Sequence, residues 1–405
     1  MKGSERVGIG FVGLGSRGKG LLKTLLGIDA VRLVALCDLD SEPMDEAAAL
    51  VESERGERPY CDTEFDALLA RPGVDAVIIA TDWAPHIPLA ILAMRARKAT
   101  AVEVAGAFSV RQCWDLVGAY HETGVHCMML ENCCYGRNEM ALLRMTREGV
   151  LGEIVHCRGA YGHDLRASLT DRLEKRIDRT RNYMHRCSEN YPTHELGPMA
   201  KILRLNRGNR MLTLASTASK ARGINAWALE NRGPDHPLAR YPMAQGDVVT
   251  TIIRCAGGET MLLTLDTSLP RPYSRGGVVQ GTRGLWQEDG QLLYIEGSSP
   301  EHEWESFEAH REEFEHPLWR QYLDDGVRSG HGGMDYLVLS AFVDSVQRGC
   351  PPPIDTYDTA SWMAVSALSE DSIALGGQPV AVPDFTGGLW MVREPGTPGR
   401  YALDV

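Results

Sequence analysis

The sequence predicts an α/β protein in two parts: a doubly wound parallel sheet, then an α+β domain with an open, largely antiparallel sheet. Three observations carry this. Short apolar runs alternate with helix-period segments from Arg6 to about Leu130. A glycine-rich turn joins the first run to the first helix. After Glu131 the pattern changes to period-two strands and ends in two long helical segments. Residues 1–130 are therefore read as one domain and 131–405 as the second, with the last helices packing back on the first. A chain of 405 residues can bury two cores.

The elements follow in order. Val7 to Val12 and Val31 to Cys37 are apolar runs of the kind that form buried parallel strands. Val74 to Ala80, Thr100 to Val104 and Val125 to Leu130 are three more. Lys19 to Leu26, Asp45 to Glu54, Thr63 to Ala70, Pro88 to Ala96 and Val110 to Glu122 have helical spacing between them. In the second part Met140 to Glu148 reads as helix and Gly152 to Tyr161 as strand. Residues 163–190 are rich in Arg and Asp without period and are read as a long polar loop, with Arg172 to Arg186 solvated or covering a pocket. Met211 to Ser219, Asp247 to Arg254, Glu259 to Thr267 and Gly277 to Gln280 alternate like strands. Ser306 to Glu315 has a weak helical period, whereas Met334 to Arg348 and Ala360 to Leu375 have strong ones.

Composition narrows the function. The net charge of −12 argues against a nucleic-acid or anionic-membrane partner. The start of the chain lacks the long apolar core of a signal peptide, and no run of about 18 apolar residues occurs, so a membrane span is not expected. Ten scattered cysteines then read as reduced thiols in the cytoplasm. His185 with Cys187, and His121 with His126 and Cys127, have no strong ligand spacing, so no metal is expected.

Gly13-Leu14-Gly15-Ser16-Arg17-Gly18 follows a strand and opens a helix. Gly13 permits the turn, Gly15 lets backbone approach a pyrophosphate, and Gly18 lets helix and strand close up. The helix N-terminus, beginning at Ser16, offers free N–H groups to the phosphates, which Arg17 can also contact. Asp38 follows Gly18 by 20 residues at the end of the second strand. A carboxylate there bonds both ribose hydroxyls and repels a 2′-phosphate, which selects NAD. This is a Rossmann domain. Its strand ends also carry Trp83, His86 and Glu103, which can face the nicotinamide half.

GLGSRG, Glu103 and the run Glu131-Asn132-Cys133-Cys134-Tyr135 resemble the Gfo/Idh/MocA oxidoreductases over nearly the whole chain. The resemblance implies a Rossmann domain joined to a substrate domain with an open sheet, and a homo-oligomer. Most dehydrogenases of that family carry Glu-Lys-Pro where this chain has Glu103-Val104-Ala105. The lysine there assists the proton transfer that accompanies hydride transfer, and Val104 cannot. The segments Tyr191-Pro192-Thr193-His194, Leu196-Gly197-Pro198, Arg271 to Gly277 and His331 to Tyr336 are instead similar to the NAD-dependent glycosidases of glycoside hydrolase family 109. The family's best-known activity is release of α-linked N-acetylgalactosamine. The loop after the third strand departs from it, with Asp82-Trp83-Ala84-Pro85-His86 in place of Trp-Glu-Trp-His.

The resemblance implies cleavage by transient oxidation at C3, elimination across C1 and C2, hydration and re-reduction. His194 is then the base for the 3-hydroxyl, its pKa lying near neutral. Tyr135 is the candidate base at C2, which requires its ordinary pKa of about 10 to be lowered. Tyr191 orients the sugar or relays a proton, and Glu103 positions ribose or nicotinamide. Asn132 is carried over as a cofactor contact. Tyr161, Arg179, Tyr191, His194 and Tyr273 are carried over as sugar contacts. The alternatives are an NAD-dependent sugar or inositol dehydrogenase of the same superfamily, and a non-catalytic NAD sensor that would tolerate loss of His194.

Overall fold

The computed structural model describes residues 6–171, 178–327, 331–396 and 398–403. The first part is a six-stranded parallel sheet: β1 (Val7–Val12), β2 (Val31–Cys37), β3 (Tyr60–Asp62), β4 (Ala76–Ile79), β5 (Ala99–Val102) and β6 (Cys127–Met129), in the order β3-β2-β1-β4-β5-β6. Helices α1 (Ser16–Leu26), α2 (Ser41–Arg55), α3 (Phe65–Ala70), α4 (His86–Arg95) and α5 (Val110–Thr123) make the crossovers. The expected strands are all present, and β1 and β2 have the expected bounds. β3 is an addition. Its three residues are too short for a periodic signal, and it forms because it pairs with Ala35, Leu36 and Cys37 of β2. The strand order reverses between β1 and β4, so a crevice opens at their carboxyl ends.

The second part is a nine-stranded sheet ordered β14-β13-β12-β11-β7-β10-β9-β8-β15. Its members are β7 (Ile154–Gly162), β8 (Met211–Ala218), β9 (Val248–Cys255), β10 (Thr260–Asp266), β11 (Val278–Gly281), β12 (Gly284–Gln287), β13 (Leu292–Ile295), β14 (Glu305–Ser306) and β15 (Val380–Ala381). Only β7 and β10 pair in parallel. β12 to β15 have two to four residues each and escaped the periodicity. The helices are α6 (Arg137–Arg147), α7 (Arg166–Thr170), α8 (Asp178–His185), α9 (Thr193–Ile202), α10 (Gly223–Arg232), α11 (Phe307–Arg311), α12 (Pro317–Asp324), α13 (Met334–Arg348) and α14 (Thr356–Ala374).

The polar loop expected over 163–190 is corrected. It contains α7 and α8, and Leu169 and Tyr183 from them pack with Ile224, Ala228 and Leu238 into a small core of their own. Few apolar residues suffice because the partners come from 224–239, beyond any local window. Residues 172–177, within the stretch read as solvated or covering, lie outside the described residues.

The last two helices do pack back on the parallel sheet. β6 is its edge strand, whose outward N–H groups would otherwise lack partners. Thr356 and Thr359 of α14 close that edge. Their hydroxyls accept from Cys127 N (2.9 Å) and Met129 N (3.0 Å), and Thr359 donates to the Cys127 carbonyl (3.1 Å). α14 is buried nearly all round, between the two sheets, with Trp362 fully enclosed. The buried Asp358 carboxylate accepts from Lys201 Nζ (2.8 Å), Asn206 Nδ2 (3.0 Å) and Arg207 Nη1 (3.0 Å), which locks α14 to the end of α9. Asp358→Ala removes the carboxylate that Lys201 and Arg207 share, leaving Arg207 with Asp355 (3.0 Å) and Lys201 with the Pro353 carbonyl (2.7 Å), and should cost about 3–5 kcal/mol in urea-denaturation experiments. A loss below ~1 kcal/mol would show that water, not Asp358, satisfies them.

Candidate active site

The glycine loop has the geometry its sequence demands. Gly13 adopts φ +88° and donates to the Cys37 carbonyl (3.0 Å). A Cβ on Gly18 would stand 1.9 Å from the Gly13 carbonyl oxygen, so helix and strand touch there. A Cβ on Gly15 would meet nothing within 4 Å, and Ser16 is exposed, so the N-terminus of α1 is open to a ligand. Asp38 accepts from Leu14 N (2.5 Å) and Asp40 N (3.1 Å), which holds its carboxylate at the end of β2 beside the loop. An open helix N-terminus with a carboxylate one strand away fits an adenine dinucleotide without a 2′-phosphate.

Arg17 does not point to the phosphate position. Its guanidinium donates to Glu103 Oε1 (2.9 Å) and, bidentately, to both oxygens of Asp335 (2.6 and 2.9 Å). Asp335, buried at the start of α13, also accepts from Asn132 Nδ2 (2.7 Å), and His331 Nδ1 lies 2.8 Å away. Burial would raise the Asp335 pKa, but His331 and Arg17 more than offset it and hold the carboxyl well below its usual range. Glu103 spends its second oxygen on Val104 N (3.0 Å). Glu103, Asn132 and Arg17 thus form one network at the strand ends, and their free polar atoms are few. Asp335 and His331 were missing from the expected site. Their signal was a His and an Asp four residues apart at a helix start.

His86 and Tyr135 turn away from the crevice. His86 is buried, with Nε2 2.9 Å from the Thr81 carbonyl oxygen, and it shapes the loop that begins α4. Tyr135 is fully buried and donates to the Tyr401 carbonyl (2.9 Å), while its own carbonyl accepts from Trp319 Nε1. It is not placed to act at C2. Asn132–Tyr135 is a 3₁₀ turn, in which residues two apart point about 120° from each other. Cys133 therefore faces the site when Tyr135 faces the core.

The remaining candidates converge. Trp83, at the end of β4, stacks on Tyr191 (ring centroids 5.6 Å apart, 28° between planes). The Arg179 guanidinium lies over both rings, at 4.8 and 4.7 Å. Tyr191 packs on Tyr161 (4.6 Å) and edge-on to His194 (5.0 Å). Tyr273, half-exposed, stands 6.5 Å from Tyr161 at the rim. This aromatic wall suits the apolar face of a sugar ring.

Behind the wall lies an acid–base group. Glu131, wholly buried after β6, accepts from Cys133 N (3.0 Å), and its Oε1 lies 2.8 Å from His194 Nδ1. The carboxylate, the Cys133 sulfur and an imidazole nitrogen all lie within 4.8 Å of one another. α9 can come this close because residue 197 is glycine: a Cβ there would sit 2.8 Å from Glu131 Cγ and 3.0 Å from Cys134 Sγ. Burial alone would lower the His194 pKa, but Cys133 and Glu131 outweigh it and hold the imidazole well above its ordinary 6.5. The Glu131 carboxylate thus favours a proton on the ring of His194, the residue expected to take the proton of the 3-hydroxyl. Burial pushes the tyrosines the other way: Tyr191 well above its ordinary 10, and Tyr273 up to about 12. Neither is disposed to take a proton. Of the two groups weighed for a metal, His121 Nε2 lies 3.0 Å from the Tyr357 hydroxyl and His126 Nδ1 3.2 Å from Thr356 Oγ1, while Cys187 Sγ accepts from Gly246 N (3.4 Å) and His185 packs edge-on to Tyr241.

Comparison with known proteins fits this geometry. Residues 7–131 match the oxidoreductase family with an NAD-binding Rossmann fold, and residues 135–392 match the glycosyl hydrolase 109 C-terminal domain. The chain is 41% identical over 409 residues to the alpha-N-acetylgalactosaminidase of Tannerella forsythia, covering 95% of this chain and 87% of that one. It is also 41% identical to a glycosyl hydrolase family 109 protein of Stenotrophomonas maltophilia, covering 96% and 91%. Among solved structures, an oxidoreductase domain protein from Kribbella flavida superposes with a TM-score of 0.72 at 18% identity (94% and 100% covered). Levoglucosan dehydrogenase in complex with NADH and levoglucosan gives 0.70 at 18% identity, with the same coverage. These two share the fold. The chain belongs to glycosyl hydrolase family 109.

Two results are expected. Gly15→Ala should leave the melting temperature unchanged yet weaken NAD binding about tenfold or more, whereas Gly18→Ala should lower the melting temperature first. Equal effects of the two, in melts and calorimetric titrations, would mean that the loop does not approach a ligand. The second concerns Glu189, a buried carboxyl whose pKa burial raises from 4.5 to about 8. A carboxyl raised in the folded state contributes stability below its unfolded pKa and loses it as pH rises through the folded one. Glu189→Gln should therefore flatten the fall in stability between pH 4.5 and about 8. An unchanged pH–stability curve for that variant would show that Glu189 is not protonated in the native state.

Proposed function

We propose that this family 109 glycosidase holds NAD on the open N-terminus of α1 and cleaves an N-acetylgalactosaminide or a close relative by oxidation, elimination, hydration and re-reduction. The observation that carries this reading is the hydrogen-bonded imidazole–carboxylate pair of His194 and Glu131, seated with the Cys133 sulfur where the ends of the parallel strands meet the aromatic wall. The named activity of the Tannerella forsythia relative suggests the sugar. The unpaired thiols fit a reducing compartment, and the cytoplasm is the location proposed. No helix among the described residues is long and apolar enough to cross a membrane.

NAD would lie along Gly13, Gly15 and Ser16, with its ribose at Asp38. When bound, it supplies a reversible hydride acceptor for a ring carbinol carbon. The chain does the rest. Trp83, Tyr161 and Tyr191 offer apolar ring faces to the sugar, and Arg179 closes over two of them. Val104, buried where dehydrogenases of the superfamily carry lysine, takes no proton from an alcohol being oxidised. Glu131 fixes the His194 ring, so the imidazole can take the proton of the hydroxyl being oxidised and pass it to the oxygen that leaves C1. The Asp335 network, which joins α1, the end of β5 and α13, fixes the crevice in which both events occur.

The deciding experiment treats the purified enzyme with nitrophenyl N-acetyl-α- and β-galactosaminides in D₂O. Release of nitrophenol, deuterium at C2 of the sugar and no net NADH support the proposal. Steady NADH formation from free sugars without nitrophenol release would return the chain to the dehydrogenases at the level of chemistry.

A further inference from the structure

Elimination needs a base at the carbon next to the oxidised one, and the tyrosine expected there is buried against Tyr401. The groups within reach of the wall are few. The Tyr191 and Tyr273 hydroxyls hold their protons more tightly than free tyrosine. Glu103 is engaged by Arg17 and Val104 N, and Glu131 by His194 and Cys133 N. The Tyr161 hydroxyl lies 3.2 Å from His163 Nδ1. The Cys133 sulfur, 3.6 Å from Asn132 Oδ1, lies within 4.8 Å of a Glu131 oxygen and a His194 nitrogen. Its backbone N–H is tied to Glu131, and its neighbour Asn132 is held by Asp335, so the turn that aims the sulfur is fixed at both ends. His194 reaches it from α9. The Arg275 guanidinium, bonded to Glu139 (2.5 Å) and 3.3 Å from Glu288, faces it from the loop before β11. Glu131 and His194 stand within 4.8 Å of the sulfur, and Cys134, Tyr273 and Arg275 complete the titratable groups around it.

We propose that the Cys133 thiolate is the base that removes the C2 proton of the oxidised sugar. This rests on the oxidation–elimination reading. The sulfur takes the proton and becomes a thiol. The C2–H electron pair forms the C1=C2 double bond, the C1–O pair leaves with the aglycone oxygen, and the His194 imidazolium gives that oxygen its proton. On hydration, water delivers its oxygen to C1 and a proton to His194, the thiol returns its proton to C2, and His194 gives its proton back to the C3 oxygen as the hydride returns. The sulfur is neither oxidised nor bonded to carbon. The buried Glu131 acts as a positioning residue that keeps the imidazole turned to the thiol.

The test uses the holoenzyme with 4-nitrophenyl N-acetyl-α-galactosaminide. It follows absorbance at 340 nm in a single turnover, deuterium incorporation at C2 from D₂O, and nitrophenol release. Cys133→Ala should keep the 340 nm transient within about threefold of wild type, while exchange and release both fall about 10²–10⁴-fold. Cys133→Ser, nearly the same shape, serves if the alanine variant does not fold, and the same pattern is expected of it. Exchange at the wild-type rate in either folded variant would overturn the assignment alone. A wild-type enzyme that releases nitrophenol with neither transient nor exchange would overturn the reading beneath it, and the assignment with it.

Discussion

The bond between Glu131 and His194 is the contact on which the rest of this structure depends. The carboxylate ends the last strand of the parallel sheet, and the imidazole begins a helix of the other part, so one buried charge pair joins the two halves at the point where chemistry would occur. Neither charge is tolerable there alone, since an unpaired buried ion costs several kcal/mol. The pairing thus fixes α9 to β6 within hydrogen-bond distance. Gly197 makes room for it, and the Asp358 cluster at the far end of α9 prevents the helix from backing away. The same pairing sets the protonation state, because the carboxylate that positions the imidazole also keeps its proton on.

A second constraint works from the other side. Arg17 lies in the phosphate-binding fingerprint, where a contact to pyrophosphate is the natural expectation. Its charge is spent on Glu103 and Asp335. The consequence is a cofactor crevice whose floor is closed by a helix more than 300 residues further along, since α13 carries Asp335. Backbone N–H groups and the α1 dipole are left to hold an anion, a division of labour that preserves a rigid floor beneath a bound dinucleotide.

Much of the fold was legible because its signals are local. The runs Val7–Val12 and Val31–Cys37 are buried on both faces, so they read as unbroken apolar stretches with sharp ends. The glycine loop declared itself by spacing. Segments that failed to show were those whose reason for existing is a distant partner. Tyr60–Asp62 is a strand only because β2 lies beside it, and α7 and α8 bury a face only because Ile224, Ala228 and Leu238 arrive from elsewhere. At the site, His194, Tyr191, Tyr161, Trp83 and Arg179 come together, whereas Tyr135 and His86 turn inward and the buried Cys133 turns toward Glu131 and His194.

By itself the sequence determined the class of molecule: a dinucleotide fold with a carboxylate at the end of its second strand, and a second domain with the marks of one hydrolase family. Spacing carries that much, since a glycine turn or an apolar period acts over a few residues. The direction of a side chain within a turn, and the charge state of a buried group, are different quantities. They are sums over neighbours brought from 60 to 300 positions away, and for Cys133, His194 and Arg17 only the tertiary structure decided them.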